Sequence, residues 1–150
     1  MSEVRTRLGH RLLQWGVVLF LLGLLTGFVI PMMGNPRMGL TSHLEGVMNG
    51  TVLMVLGLMW PKLVSSDRTL KIGFWLALYG TYVNWGTTFF AGAVAAGEKM
   101  APIASEGHLG SDAEEMVVAF GFISLSVAMV GICGMMLWGL RGGPGTTEQL

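Results

Sequence analysis

The residues able to do chemistry are few and closely grouped. One polar string, Thr41-Ser42-His43-Leu44-Glu45-Gly46-Val47-Met48-Asn49-Gly50, sets an imidazole, a carboxylate and a carboxamide among apolar neighbours. A second, Tyr79-Gly80-Thr81-Tyr82-Val83-Asn84-Trp85-Gly86-Thr87-Thr88, adds another carboxamide, aromatic rings and hydroxyls. Ionisable and amide groups cost free energy inside hydrocarbon, so at such positions they are functional candidates. Glu45 and Asn49 are four apart and can hydrogen-bond along one side of a helix. Asn84 needs partners for both ends of its amide. One deep Asn on each of two apolar segments points to a shared polar pocket. Part of the second string has a plainer reading: Trp and Tyr favour membrane interfaces, and Thr can bond its own helix backbone.

His43 offers a different chemistry. At about 100° per residue, Gly46, Gly50 and Gly57 share its helix face, whereas Asn49 is turned well away from it. A neutral imidazole can be an axial ligand of iron, and a smooth stripe beneath it suits a flat macrocycle. One histidine without a partner leaves the opposite iron position free, which separates a reactive haem from an electron carrier. The same glycines suit close helix packing, and a lone interfacial histidine can simply be solvated or cap a helix.

The elements that must position these groups follow from composition. The chain has 150 residues, 52% hydrophobic and 12% charged, with mean hydropathy +0.62. Soluble domains carry about 25% charged residues. Four apolar stretches, 12–30, 43–60, 70–95 and 114–140, each have the roughly 20 residues a spanning helix needs. Strict alternation is absent, so these are helices with internally satisfied backbones and not barrel strands. The expected fold is an all-α integral membrane protein, a four-transmembrane-helix bundle in a single membrane domain over residues 1–150. Pro31 and Pro61 stop the first two spans, and Asn35-Pro36 reads as a turn. Ser42-x-x-Glu45 and Ser111-x-x-Glu114 both fit capping boxes. Gly23 with Gly27, Gly46 with Gly50, and Gly131 with Gly134 fit close helix approach.

Charge gives orientation and exclusions. Arg5, Arg7, Arg11, Lys62, Arg68, Lys71 and Arg141 fall on one side, against Arg37 and Lys99 on the other. The excess places both termini in the cytoplasm of a multi-pass protein. The first stretch follows three arginines but is long for a signal core and lacks a small-x-small cleavage site, so it is expected to be a retained helix. A net charge of zero offers no basic patch for nucleic acid. Cys133 stands alone, which excludes an internal disulfide and any Cys/His metal spacing.

Asn35-Pro36-Arg37-Met38-Gly39-Leu40, the His43–Gly50 string and Leu56-Gly57-Leu58-Met59-Trp60-Pro61 together resemble bacterial hydroxylaminobenzene mutases, from about His10 to Gly139. The resemblance implies an inner-membrane isomerase that converts phenylhydroxylamine, an aryl hydroxylamine, to 2-aminophenol by intramolecular hydroxyl transfer, in nitroaromatic degradation. The chain is more distantly similar to styrene oxide isomerase. That likeness implies haem b held between subunits of a homo-oligomer, a trimer by analogy, through a histidine at the start of the second span. His43 falls at the ligand position, with Gly46 and Gly50 beneath the macrocycle and the iron as a Lewis acid. Asn49 and Asn84 fall at pocket asparagines and would orient the substrate. Tyr82 would offer a π-face, and Glu45 would move a proton or cap its helix. The chain departs from that relative on the third span. Gly80 or Thr81 stands where it has an acidic residue, and Thr88 where it has a tyrosine, with Tyr82 one turn from alignment. The competing reading is a haem-binding membrane anchor for electron transfer. It needs a second ligand; His10 and His108 lie outside the spans, but the plentiful methionines could serve.

Overall fold

A computed structural model describes residues 3–141. It is all-helical: α1 (Glu3–Val29), α2 (Pro36–Met59), α3 (Asp67–Val94), the short α4 (Pro102–Ser105) and α5 (Asp112–Gly139). Single 3-10 turns, Ile30–Met32 and Trp60–Lys62, close α1 and α2 where Pro31 and Pro61 stand. Among the described residues, three helical stretches are long and apolar enough to cross a membrane: Glu3–Met32, Pro36–Lys62 and Asp112–Gly139. α3 matches α5 in length, at 28 residues, but Thr81, Asn84, Thr87 and Thr88 interrupt its apolar character.

The second membrane helix begins at Pro36, upstream of the span expected over 43–60. Asn35 caps α2, its Oδ1 accepting from the Arg37 and Met38 amides at 3.0 and 3.1 Å. Pro36 takes the first helical position, where its missing N–H costs nothing. The Asn-Pro pair therefore begins a helix and is not a free turn. Ser42-x-x-Glu45 is not a capping box: it lies two turns inside α2, and the Ser42 hydroxyl instead donates to the Trp85 carbonyl at 3.2 Å. The box at Ser111 and Glu114 does form, at the head of α5.

α1 and α2 pack antiparallel along a seam of small residues. A Cβ placed on Gly23 would come 2.5 Å from the Val47 amide nitrogen, and one on Gly50 would come 2.5 Å from that of Phe20. Gly57 is closed in the same way by Gly9. The expected partners on α5 do not behave so. Gly134 faces open space and Gly131 meets only the Leu76 side chain, because both lie on the outer face. α3 packs against α1, α2 and α5, whereas α2 and α5 both lean on α3 without packing closely on each other.

The surface is apolar. Phe28, Phe120 and Val130 are 80%, 69% and 74% exposed, while Thr26, Ser42, Asn49, Thr81 and Thr88 are buried. Water would penalise that arrangement and lipid would not. The connection before α5 is held by polar contacts. The buried Glu115 carboxylate accepts from the amides of Gly97, Lys99 and Gly110 at 2.7, 3.2 and 3.1 Å. The Asn35 amide donates to the Ser105 carbonyl at 2.8 Å, fastening α4 to the head of α2.

Candidate active site

Glu45 is the centre of the polar site. Its Oε2 accepts from Asn49 Nδ2 at 2.9 Å and from Asn84 Nδ2 at 2.7 Å. Asn49 reaches it by the four-residue spacing on α2, and Asn84 reaches it across the seam from α3. The two asparagines are thus brought together, with the carboxylate as their link. Both amide NH₂ groups are committed to one acceptor, which fixes the amide planes. The two Oδ1 atoms make no hydrogen bond among the described residues and are not sealed off. With Glu45 Oε1 they give an acceptor-rich patch in apolar surroundings. Such a patch suits a small molecule rich in N–H and O–H donors. Because Glu45 lies well inside α2, helix capping does not account for it.

His43 is half-buried on another face of α2, against α1. Its Nδ1 lies 2.8 Å from the Gly23 carbonyl oxygen, and a Cβ on Gly27 would come 3.1 Å from the same nitrogen. A carbonyl only accepts, so Nδ1 carries a proton, and the tautomer this selects has its lone pair on Nε2. A backbone carbonyl orienting the far nitrogen is the usual setting of a metal-ligating imidazole. As a donor, His43 therefore fits an iron. Gly46 and Gly50 do not fit as an open bed for a macrocycle within one subunit, since Gly23, Gly16 and Phe20 of α1 cover them. Among the described residues no group of three His, Cys, Asp or Glu could hold a metal.

The remaining sites divide. Tyr82 is not brought to Glu45: its hydroxyl donates to the Trp15 carbonyl at 2.9 Å, and the two rings meet edge to face with centroids 6.0 Å apart. Tyr82 and Asn84 are two residues apart on α3, so they point to nearly opposite sides. Trp85 does join the neighbourhood. Its Nε1 donates to Thr26 Oγ1 at 3.1 Å, and its ring edge lies against Gly46. Thr26 was not anticipated, although a hydroxyl between Gly23 and Gly27 was a visible signal. Thr81 and Thr88 bond backbone carbonyls of their own helix, as their residue type suggested.

The profile of a family described as "Styrene oxide isomerase" matches residues 8–141. The chain belongs to the styrene oxide isomerase family. Two relatives from Ectopseudomonas oleovorans are closer. "Hydroxylaminobenzene mutase HabB" is 56% identical over 137 residues, covering 91% of this chain and 84% of the relative. "Hydroxylaminobenzene mutase HabA" is 45% identical over 125 residues, covering 83% of this chain and 93% of the relative. No solved structure matches the chain. The kinship read from the His43–Gly50 string is borne out, and with it the assignment to isomerases. Within this styrene oxide isomerase family member, the Glu45–Asn49–Asn84 cluster and His43 occupy separate faces of one helix.

Proposed function

We propose that this protein is a membrane isomerase converting hydroxylaminobenzene to 2-aminophenol by intramolecular hydroxyl transfer. The observation that carries the reading is the paired capture of Asn49 and Asn84 by Glu45 Oε2. The substrate presents one N–H and one O–H, and the patch presents two amide oxygens and a carboxylate oxygen to receive them. The mutase relatives, at 56% and 45% identity, support the substrate class.

The reaction is an isomerisation and needs no external oxidant or reductant. The N–O bond breaks, a C–O bond forms at the ortho carbon, that carbon loses a proton and the nitrogen gains one. Asn49 and Asn84 hold the departing oxygen close to the ring, so the second bond forms before diffusion separates the partners. Glu45 is the one ionisable group of the cluster and carries the proton between carbon and nitrogen. Trp85, bonded to Thr26 and packed on Gly46, walls the α1 side of the α2–α3 contact. The apolar flanks of the helices around the cluster keep bulk water from capturing the electron-poor ring. Tyr82, held by Trp15, is left with the wall of the α1–α3 groove.

His43 would hold haem b through Nε2, between subunits of a homo-oligomer. Its hydrogen-bonded Nδ1 and the covered faces of Gly46 and Gly50 support that arrangement over one inside the protomer. When bound, the group would supply Lewis-acid chemistry toward the hydroxylamine. α3 is proposed as a fourth span, both termini as cytoplasmic and the membrane as the bacterial inner membrane. At 28 residues α3 would measure about 42 Å against a hydrocarbon thickness of about 30 Å.

The test is phenylhydroxylamine labelled with ¹⁸O on its hydroxyl, given to membranes containing the protein. The 2-aminophenol formed is expected to keep the label. Product carrying solvent oxygen would replace direct transfer with capture of water, and absence of product would remove the reading.

A further inference from the structure

We infer that the apolar cleft between α2 and α5 seats the aryl ring of the substrate and opens the Glu45–Asn49–Asn84 site sideways to the lipid. This rests on the mutase reading above and gives its ring a place. The cleft has a volume of about 350 Å³ and is lined by Val52, Leu56, Met129, Ile132, Cys133 and Met136, among others. It exists because α2 and α5 both lean on α3 but not on each other.

Two observations join the cleft to the polar site. On α2, Glu45, Asn49, Val52 and Leu56 follow one another at spacings of four, three and four, which is a single stripe along one helix face. The carboxylate and the amide head that stripe, and the cleft's own lining continues it. On the opposite wall, Met129 of α5 packs on Gly80, its Sδ 2.7 Å from a Cβ placed there. Gly80 is one helical turn from Asn84 on the same side of α3. Donor-binding oxygens at one end and an apolar slot at the other match a molecule whose N–OH group sits on a benzene ring. The Met129 thioether makes favourable contact with an aromatic edge. The volume lies within the ordinary range of ligand sites, roughly 300–1,000 Å³.

The outer rim faces outward, with Val52 and Leu137 38% and 68% exposed. An apolar substrate dissolved in the bilayer can therefore enter without crossing water. A second groove, between α1 and α3, is lined by Trp15, Trp75, Leu78, Tyr79, Tyr82 and Val83, and runs on past Val18 through the shared Trp15, Trp75 and Leu78. It is richer in aromatic rings, but Asn84 points away from it and the Tyr82–Trp15 bond closes its inner wall.

Four proteins assayed in membranes decide the matter: the wild type, Val52→Trp, Val52→Ala and Val18→Trp, the last filling the α1–α3 side. Val52→Trp is expected to raise KM for phenylhydroxylamine by roughly tenfold or more. Val18→Trp is expected to leave KM within about twofold of the wild type. Val52→Ala is expected to raise kcat/KM for para-tert-butylphenylhydroxylamine relative to the unsubstituted compound. That relative preference is read even if the tryptophan variant fails to accumulate. An unchanged KM in Val52→Trp would mean the cleft holds only lipid, and a raised KM in Val18→Trp would move the ring to the other groove. An unmoved size preference in Val52→Ala would likewise overturn the inference. A wild type that forms no 2-aminophenol would instead bring down the mutase reading beneath it.

Discussion

A carboxylate among apolar helices is costly unless donors meet it, and two amides meet Glu45 at 2.9 and 2.7 Å. Its two roles, clamp and proton carrier, separate by substitution. Glu45→Gln keeps an acceptor for the amides but loses the exchangeable proton, so yield and thermal midpoint in detergent should hold while kcat falls by roughly 10²-fold or more. Glu45→Ala also strands two N–H groups, and should lose about 1–3 kcal/mol of stability besides. A Gln variant with wild-type kcat would leave Glu45 a clamp only. His43 is tested by colour: purified wild type should show a Soret absorption band, and His43→Ala should lose it while retaining its helical circular dichroism. A colourless wild type, or an unchanged band in the variant, would contradict the ligand assignment. At this scale the four-residue spacing made the Glu45–Asn49 bond legible, and the unsatisfied amide of Asn84 announced a partner. The identity of that partner was not legible, because the α2–α3 register that brings residue 84 to residue 45 is set by packing. The same limit applies to Tyr82, whose neighbour Trp15 is 67 residues away.

At the scale of the elements, small residues decide which helices touch. Gly46 lies against Gly23 and the Trp85 ring edge, so Gly46→Val must displace backbone or indole. A loss of about 1–3 kcal/mol is expected. Gly134 meets nothing within 4 Å, and Gly134→Ala should be neutral or stabilise α5 by up to about 1 kcal/mol through helix propensity. Thermal midpoints of the two variants in one detergent check this, and equal shifts would contradict the seam. The Gly-x-x-x-Gly pair of α2 was readable as a contact, but the pattern alone could not tell a seam from an outer face, which is why Gly131 and Gly134 misled. The head of α2 misled for a related reason. Ser42-x-x-Glu45 satisfies the capping pattern, yet Asn35 and Pro36 satisfy a stronger one seven residues earlier, and the polar residues between them are compatible with helix. The box at Ser111 was read correctly because no competing start precedes it.

For the whole molecule, the inverted distribution of polarity was the most legible property. Outward Phe28, Phe120 and Val130 with inward Thr and Asn follow from apolar stretches interrupted at few positions. What composition could not give is the openness between α2 and α5, since a cleft arises from how unequal helices share α3 and leaves no local signature. That architecture joins residues of two helices into one site, and the claim on which the account rests is that Glu45 and Asn84 act as a unit. The direct test is the double-mutant cycle of Glu45→Ala and Asn84→Ala, read as kcat/KM for phenylhydroxylamine in membranes. The double variant is expected to lose little more activity than the more damaged single variant, as interdependent groups do. Losses that multiply would mean that the two side chains contribute independently, and the site built around the Glu45 carboxylate would not stand.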